Sequence, residues 1–498
     1  MLRMDHDADR ALCSAGIFYH IMDSGGTAMR KTKIVCTIGP SCESAAVLEE
    51  MYRAGMNVAR LNFSHGSHEE HQRQLDAVKA VREKLNAPLA VMLDTKGPEY
   101  RTGVLENGPV TLKDGDTFTF TTADIMGDQT RVSVSYKRLA EELRPGDKVL
   151  VNNGLLSFTV TDIQGTDIIC HVDNGGVLSN RKSMSFPGKV LKQVYLSEQD
   201  KADLLWGIRN DVDYIACSFV SCKQDLLDVK EFLRQNNAGP ISLIAKIENS
   251  TGIDNIEEIF SECDGIMIGR GDMGVEIPFE QLPAIQKKII TKCRLLGKRV
   301  ITATEMLESM IYNPRPTRAE VSDVANAVYD GTSAIMLSGE TSMGKYPVLT
   351  VKTMARIAET TEESIHYGKR FLKTEFAIRN EMDAVSHAVV GMAADIDAKA
   401  IVVCSLSGVT ARMVSRFRPP IDILALCVNE QVWKKLALSW GVTPAMSEIY
   451  PSIEVLFYAA KLMAAEAFHL RPGDKIIITG GTTGESGKTN TIRIETIG

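Results

Sequence analysis

The chain has 498 residues, and its 56 Lys and Arg residues against 63 Asp and Glu residues give a formal net charge of −7. An apolar fraction of 44% and a charged fraction of 24% exclude a disordered chain, a collagen-like repeat and a disulfide scaffold. The acidic balance argues against nucleic acid or an anionic membrane as the main partner. At roughly 150 residues per domain, the length predicts about three domains.

The start of the chain and its cysteines indicate the compartment. No run approaches the roughly 18 consecutive apolar residues that a membrane-spanning helix needs. Asp5, Asp7 and Asp9 stand where a signal peptide has positive charge. The ten cysteines include no CxxC pair, and most lie in apolar runs, where Cys behaves as a small hydrophobe. We therefore expect a reduced, cytoplasmic protein.

Eight short runs rich in apolar and β-branched residues have the character of strands buried on both faces. They begin at Lys33, Met56, Leu89, Val212, Ile241, Gly265, Arg299 and Ala334. Amphipathic segments of helical length separate most of them, including 43–54, 67–84, 223–235 and 279–296. This alternation predicts an α/β protein with a (β/α)₈ TIM barrel over residues 29–96 and 187–370. The active site of such a barrel forms at the carboxyl ends of its strands.

Two further domains are expected. Between Asp94 and Val212, short alternating runs separated by turn signals predict a small antiparallel β-barrel or sandwich at residues 97–186. Because this insertion follows a strand at the active end, we interpret it as a lid; a passive insertion is the alternative. After a polar linker at 367–376, strand and helix patterns alternate again. They predict a doubly wound C-terminal α/β domain over 371–498.

Polar residues at the ends of the second and third strands suggest a cation site. Arg60, Asn62 and Ser64 alternate and so share one face of a strand, and Asp94-Thr95 ends the next strand. One carboxylate among neutral oxygens is too little charge for a tight divalent site and suits a monovalent cation better. A hydrogen-bonded polar plug that closes the barrel is an equal alternative.

A second polar set follows the fifth, sixth and seventh strands, comprising Lys246, Glu248, Gly269, Gly271, Asp272 and Thr304. Glu248 and Asp272 could hold Mg²⁺ between neighbouring strands. Lys246 and Arg60 supply the positive charge that a transferring phosphoryl group needs. A structural Lys–Glu pair and a glycine-rich turn are the alternative. Charged groups that recur at one end of successive barrel strands favour an active site.

Three weaker patterns have simpler interpretations. His65, His68 and His71 have metal-like spacing, but Ser67 and Glu70 form a capping box that predicts a solvated first helical turn. Residues 481–489 resemble a phosphate-binding Walker loop with the wrong glycine spacing. Residues 405–410 lie between a strand and a helix and suit a phosphate-binding turn or, equally, a simple helix cap.

Six segments carry motifs of a known family: Lys31–Pro40, Met56–Gly66, Leu93–Gly103, Ile244–Asn249, Asp264–Pro278 and Ala303–Gly331. Through these motifs the sequence resembles the pyruvate kinase family. The resemblance extends from Met29 onward and implies the same three-domain fold. It leaves residues 1–28 as a disordered N-terminal extension or a misassigned start. It also implies transfer of the phosphoryl group of phosphoenolpyruvate to ADP, which gives ATP and pyruvate in the final step of glycolysis.

The resemblance further implies residue roles. Lys246 and Arg60 would stabilise the transferring phosphoryl group, and Glu248 and Asp272 would ligate Mg²⁺ (or Mn²⁺). Thr304 would hold the substrate carboxylate and lie near the route of enolate protonation. The amides around Gly271 and Asp272 would also hold that carboxylate. The nucleotide-side contacts implied are Arg60, Asn62, His65 and Arg101. The potassium ligands implied are Asn62, Ser64, Asp94 and Thr95.

Further implications concern potassium dependence, regulation and assembly. Glu99 matches the position that is Lys in potassium-independent members. Ser405, Ser407, Gly408 and Thr410 match an effector phosphate loop, whose ligand would be a phosphorylated sugar or nucleotide, although Leu406 and Val409 are apolar. The family implies a homotetramer.

The chain departs from the family pattern near the expected nucleotide site, and two other functions remain as alternatives. Gln199 stands where many relatives have a nucleotide-binding Lys, and Glu305 replaces a common Gln beside Thr304. One alternative is a metal-dependent pyruvate aldolase on a similar barrel. The other is a catalytically silent sensor of phosphorylated metabolites, although intact Lys246 and Glu248 argue against it.

Overall fold

The computed structural model describes residues 29–189, 191–481 and 489–498. The expected N-terminal extension at 1–28 lies outside these residues, as does most of the Walker-like segment.

Eight parallel strands close into a barrel in chain order, which confirms the predicted TIM barrel. Their bounds are Lys33–Thr37, Val58–Asn62, Ala90–Asp94, Tyr214–Cys217, Ser242–Ile247, Gly265–Gly269, Arg299–Ala303 and Ala334–Leu337. Every strand is almost wholly buried, because helices cover the outside and side chains fill the inside. All eight predicted runs therefore form barrel strands, numbered first to eighth below.

The helices around the barrel follow the predicted amphipathic segments. Their bounds are Ala45–Arg53, His68–Leu85, Glu198–Arg209, Lys223–Gln235, Ser250–Asp254, Ile256–Glu262, Arg270–Glu276, Leu282–Leu296, Arg318–Asp330, Gly339–Ser342 and Pro347–Glu363. The predicted capping box is present: the Ser67 hydroxyl accepts from the Glu70 amide, and the Glu70 carboxylate accepts from the Ser67 amide. Short 3₁₀ turns at Phe279–Gln281 and Glu308–Ile311 complete the connections.

The inserted segment forms a seven-stranded sheet and a separate two-stranded one. In spatial order the larger sheet comprises Tyr100–Arg101, Ser183–Ser185, Lys148–Val151, Leu156–Gln164, Asp167–Asn174, Thr117–Thr121 and Arg131–Ser133. The smaller sheet pairs Val110–Leu112 with Gly176–Leu178, and a single helical turn spans Leu139–Glu142. A bridge between Thr102 and Val134 joins the two edges of the larger sheet, so the sheet curls into a barrel.

One feature of the lid differs from the purely antiparallel prediction: Arg131–Ser133 pairs parallel with Thr117–Thr121. The alternation pattern could not reveal this, because it specifies which faces are buried but not which neighbour a strand has.

The C-terminal part is a five-stranded sheet with a hydrophobic core on each face, as a doubly wound unit requires. Its strands, in spatial order, are Val442–Met446, Asp422–Cys427, Ala400–Cys404, Lys475–Gly481 and the antiparallel edge strand Thr489–Thr496. Its helices are Glu381–Asp395, Val409–Arg416, Glu430–Leu436 and Ile453–Ala467. The exact domain boundaries stay predictions.

The prediction of a plain polar linker at 367–376 was wrong. Tyr367–Lys373 is a helix whose Tyr367 and Phe371 are buried. Tyr367 packs edge-on against Trp440, with ring centroids 5.2 Å apart, and Phe371 joins the core of the C-terminal sheet. The three intervening residues, Gly368, Lys369 and Arg370, concealed an i, i+4 aromatic pair, which is the spacing of one helical face.

The helices and cysteines of the described residues can be compared with the predictions from the sequence. None of the described helices has both the length and the apolar character needed to cross a membrane. All nine cysteines in the described part are unpaired, and most are buried.

The lid depends on an aromatic core that single substitutions should reveal. Phe118, Phe120 and Phe158 are fully buried, and the Phe120 and Phe158 ring centroids lie 5.0 Å apart. Removing a buried Phe side chain costs about 3–5 kcal/mol. We expect Phe120→Ala to increase amide hydrogen exchange across residues 100–186 and to leave the barrel strands protected. Leu155→Ala, at a lid position that is 67% exposed, is the control and should change exchange little. Equal effects of the two variants would contradict this view of the lid core.

Candidate active site

A buried carboxylate joins two cations at the carboxyl end of the barrel. Asp94 is fully buried, and its two oxygens accept from Arg60 Nε at 2.5 Å and from Lys246 Nζ at 2.9 Å. Arg60 also donates to the Thr37 hydroxyl at 2.8 Å. Burial alone would raise the pKa of Asp94, but the two cations outweigh burial and lower it. Asp94 is therefore an anion that fixes both predicted catalytic cations.

Lys246 is held by three oxygen groups at the ends of the third, fourth and fifth strands. Besides Asp94, its Nζ donates to Ser218 Oγ at 2.6 Å and lies 3.2 Å from Glu248 Oε1. Burial lowers the pKa of Lys246, but Asp94 and Glu248 more than compensate, and the net shift is upward. The ammonium group thus stays charged although only 8% of the residue is exposed. Ser218 was not predicted from the sequence, since a Ser after an apolar strand has no distinguishing pattern.

Glu248 and Asp272 are close enough to interact electrostatically, and both border the same cavity. Burial raises the pKa of Glu248 to about 7, and Asp272 and Asp94 add to that shift. Burial also raises the pKa of Asp272, with a further contribution from Glu99. Two desolvated carboxylates with hard oxygen donors fit a divalent cation such as Mg²⁺. Within the described residues, no group of three or more His, Cys, Asp or Glu side chains converges as a metal site.

The residues predicted to hold a substrate carboxylate also lie together. The Gly271 amide donates to Thr304 Oγ1 at 2.9 Å, and that hydroxyl donates to the Ala303 carbonyl at 2.7 Å. The sixth strand ends at Gly269, so Gly271 and Asp272 belong to the first turn of helix Arg270–Glu276 rather than to a strand end.

Arg270 is a supporting residue that the sequence analysis missed. Its guanidinium donates to the Thr304 carbonyl at 2.5 Å and the Glu305 carbonyl at 2.9 Å, and it pairs with Asp323 at 2.8 Å. Thr304 and Glu305 both have positive φ, at 66° and 53°. Arg270 therefore holds a backbone conformation that non-glycine residues rarely adopt. An Arg between two glycines would have been the available signal.

The predicted potassium ligands meet where the second and third strands end. Asn62 and Asp94 are direct partners in the strand register, and Asn62 Oδ1 accepts only weakly from the Ser64 amide, at 3.3 Å. Thr95 is buried and donates to the Ala216 carbonyl. The strand ends at Asn62, so Ser64 lies in the following turn rather than on the strand face that was predicted. A monovalent cation fits this oxygen set, with Asp94 shared between the cation and the two basic residues.

The predicted nucleotide-side residues lie on more exposed segments. His65 is exposed in the turn after the second strand. Arg101 lies on the first lid strand, 2.5 Å from the Glu99 carboxylate, and donates to the Arg181 carbonyl. Gln199 donates to Asp203 at 2.8 Å, and Lys201 pairs with Glu198 at 2.7 Å.

The prediction that His68 and His71 lie on a solvated turn was wrong for His71. His71 is buried, stacks on Phe63 with centroids 4.0 Å apart, and contacts the His65 carbonyl at 2.9 Å through Nε2. Burial lowers its pKa. His68 is half-buried and lies 2.6 Å from Asp203. The capping box is correct, but the turn packs against Phe63 and Trp206 instead of facing solvent.

A cavity of about 420 Å³ lies between the lid and the barrel. It reaches Glu248 and Asp272, and Glu99, Tyr195 and Phe219 form other parts of its wall. Arg60, Lys246 and Thr304 do not line it among the described residues, so it opens on the carboxylate side of the cluster. Sequence patterns could not predict it, because it depends on how the lid is placed.

The predicted effector loop lies at the start of helix Val409–Arg416. The Gly408 amide donates to Ser405 Oγ at 3.0 Å, and Gly408 has a φ of 75°, which favours glycine. Thr410 is buried, 2.6 Å from the hydroxyl of Thr489. Residues 482–488 of the Walker-like segment lie outside the described part of the chain.

Comparison with protein families identifies the fold and its relatives. Residues 29–351 match the model described as "Pyruvate kinase, barrel domain", and residues 383–495 match "Pyruvate kinase, alpha/beta domain".

Individual proteins agree with the family models. A pyruvate kinase of Clostridium acetobutylicum is 43% identical over 472 residues, covering 94% of this chain and 100% of the relative. One from Geobacillus stearothermophilus is 45% identical over 472 residues, covering 94% and 80%. A crystal structure of a pyruvate kinase from Cryptosporidium parvum superposes with a TM-score of 0.89 at 37% identity, covering 94% of this chain and 96% of that one. These relatives favour a phosphotransferase over the aldolase and sensor alternatives.

Asp94 should stabilise the fold as well as the site. In Asp94→Asn, Arg60 and Lys246 would share no carboxylate, and breaking a buried ion pair costs about 3–5 kcal/mol. We expect a clear fall in Tm, measured by calorimetry. Asp124→Asn is the control: it removes a carboxylate that is 91% exposed and paired with Lys137. Exposed pairs contribute about 0–1 kcal/mol, so its Tm should barely change. Equal Tm values for both variants would show that the buried network contributes nothing to stability.

Proposed function

The chain belongs to the pyruvate kinase family, which transfers the phosphoryl group of phosphoenolpyruvate to ADP, and we propose that this reaction takes place on the Asp94-centred cluster at the carboxyl end of its barrel. The observation that supports the proposal most is the convergence of Arg60 and Lys246 on one buried carboxylate. Phosphoryl transfer through a loose transition state needs positioning and positive charge rather than covalent catalysis.

Lys246 and Arg60 act on the phosphoryl group. Each already contacts an anion, Asp94, so each guanidinium or ammonium group is oriented before substrate arrives. A phosphoryl group at the cluster would give these donors a second negatively charged partner besides Asp94. Pre-oriented cations in a desolvated site stabilise developing charge more strongly than the same cations in water.

Glu248 and Asp272 are the proposed ligands of Mg²⁺ or Mn²⁺. The bound cation would supply positive charge to the enolate and phosphoryl oxygens. The protein's part is to keep the pair in place: the Phe219 amide donates to Glu248 at 2.8 Å, and Phe219 adopts a φ of 56° to do so. Lys246, 3.2 Å from Glu248, links the proposed metal ligands to the cation pair.

Thr304 and the Gly271 amide would hold the carboxylate of phosphoenolpyruvate. The Gly271 amide already donates to the Thr304 hydroxyl. A carboxylate oxygen of the substrate would accept from that amide in place of the hydroxyl. Thr304 would also lie near the route by which the enolate is protonated to pyruvate.

Asn62, Ser64, Asp94 and Thr95 are the proposed potassium ligands, and bound potassium would add a positive charge beside the phosphoryl group. Nucleotide contacts are assigned to Arg60, Asn62, His65 and Arg101. Gln199 is hydrogen-bonded to Asp203 and offers no charge, which distinguishes this nucleotide site from that of relatives with Lys. We further propose a cytoplasmic homotetramer.

The charge of Lys246 should matter for turnover more than for binding. Lys246→Met removes a group that we expect to act mainly in the transition state. By analogy with an arginine finger, kcat should fall by about 10³-fold or more, while KM for phosphoenolpyruvate changes much less. Lys113→Met, at an exposed lid position, is the control. Unchanged kcat in folded Lys246→Met protein would disprove the role.

Potassium dependence tests the reaction and the cation site together. We expect pyruvate release from phosphoenolpyruvate, ADP and Mg²⁺ in a sodium-free buffer, strongly stimulated by potassium. Full activity without potassium would retain the kinase but refute the cation site, and no activity in either buffer would refute the kinase. Glu99→Lys should weaken the stimulation. Glu99→Gln is its control, because it loses the Arg101 ion pair without adding a cation.

We expect a phosphorylated compound to regulate the enzyme through the 405–410 turn. A panel of sugar phosphates and nucleoside monophosphates should include a compound that lowers the half-saturating phosphoenolpyruvate concentration or changes the Hill coefficient. That effect should weaken in Ser407→Ala. No response to any compound in the panel would rule out an effector at this turn.

A further inference from the structure

A cluster of basic residues lies at the amino end of the barrel, opposite the end that holds the active-site residues, where the barrel meets the C-terminal domain. A narrow cleft there is lined from the barrel side by Arg294, Lys298, Arg299 and Ser333, and from the C-terminal side by Arg412, Arg416, Arg418 and Ser439. The end of helix Leu282–Leu296 abuts helix Val409–Arg416 closely: a Cβ on Gly297 would lie 2.1 Å from Met413 Cε. The two domains therefore present their cations to one another across this contact.

The cluster has too few carboxylates to balance its charge. Arg416 pairs with Asp383 at 3.1 Å, and Arg412 reaches Asp264 only at 4.0 Å. Arg299 and Arg418 donate only to carbonyls and hydroxyls of the protein.

The guanidinium of Arg294 is the least compensated of the set. Its Nε is buried without an acceptor, and no ion pair to a carboxylate is found for Arg294 among the described residues.

Several donors in the cleft also lack acceptors. Nε of Arg294, of Arg416 and of Arg418 are all buried with no protein acceptor, and the latter two residues are only 3% and 4% exposed. Native proteins satisfy most buried donors, and a bound ion or water commonly explains an exception. These Nε atoms are enclosed by protein and would not contact a ligand at the rim of the cleft, so the arginines would act on such a ligand through their charge and their terminal nitrogens.

The arginines destabilise one another's charge. Burial, then Arg294 and Arg370, lower the pKa of Arg418 to about 9. Burial, then Arg299, lower the pKa of Arg412 to about 10. Like charges this close in a desolvated cleft are costly, and a multivalent anion between them would relieve the repulsion.

We propose that this interdomain cleft is a binding site for a phosphate group, with Arg294 and Arg412 as its principal ligands. The enclosed space is about 10 Å³, room for one water-sized group, so the phosphate sits at the half-buried rim formed by Arg294, Lys298 and Arg412. A phosphate monoester would leave its organic part in solvent. Because the ligands come from both domains, the bound anion would fix the barrel against the C-terminal domain.

A crystal of the full chain soaked in tungstate, a phosphate analogue with a strong anomalous signal, tests the site directly. We expect an anomalous peak within about 4 Å of the Arg294 or Arg412 guanidinium, an ion-pair distance. The peak should be lost in Arg294→Gln and retained in Lys352→Gln, an exposed barrel lysine that does not line the cleft. Peaks confined to the barrel mouth or to the 405–410 turn, or no peak at all, would overturn the proposal.

Thermal stability in solution provides a second test and identifies the source of the phosphate group. At constant ionic strength, phosphate should raise Tm relative to chloride. Arg412→Gln should raise the dissociation constant for phosphate about tenfold or more, because hydrogen bonds to charged groups are strong. Glycerol phosphate in place of inorganic phosphate distinguishes a monoester from the free ion. A phosphate effect that persists in Arg294→Gln and Arg412→Gln, but disappears in Ser405→Ala, would assign the anion to the turn instead and overturn the cleft site.

Discussion

The active end of this barrel depends on a single buried carboxylate, Asp94 on the third strand, that holds one cation from the second strand and one from the fifth. Burying three charges is unfavourable unless each is paired and hydrogen-bonded, and the strand register satisfies that condition. Asp94 lies opposite Asn62 on the second strand and Ala216 on the fourth, so Arg60 and Lys246 approach it from either side. The same arrangement leaves two oriented cations beside the proposed metal carboxylates, which is the charge distribution that phosphoryl transfer requires.

A set of supporting residues converts this ion network into a defined site. Ser218 donates to Asp94 and accepts from Lys246, and the Phe219 amide fixes Glu248. Arg270 holds the strained Thr304 backbone next to Gly271. Each of these contacts joins the end of one barrel strand to the next. The site is therefore a property of the closed barrel, and the lid adds Glu99, which lines the adjoining cavity.

Sequence patterns predicted the barrel and many of the polar residues that lie together at its carboxyl end, because both follow from local chemistry. Strands buried on both faces need continuous apolar runs, and polar residues at their ends, such as Asp94 and Glu248, interrupt those runs visibly. Features that depend on distant neighbours were not predictable. His71 is buried by Phe63 and Trp206, the parallel lid strand Arg131–Ser133 reflects strand order, and the helix at Tyr367–Lys373 forms because Trp440 covers it. Ser218 and Arg270 have common residue types whose role appears only when adjacent strands meet.

The most direct test of the Asp94-centred cluster is a double-mutant cycle on kcat/KM for phosphoenolpyruvate, using Arg60→Met, Lys246→Met and the double variant. Two cations that share a carboxylate and act on one phosphoryl group should behave as a unit, and the effects of such residues are strongly non-additive. We expect the fold loss of kcat/KM in the double variant to be smaller than the product of the two single fold losses, by a factor of at least about ten. Single losses that multiply fully in the double variant would show that Arg60 and Lys246 act independently, and would contradict the role given to Asp94.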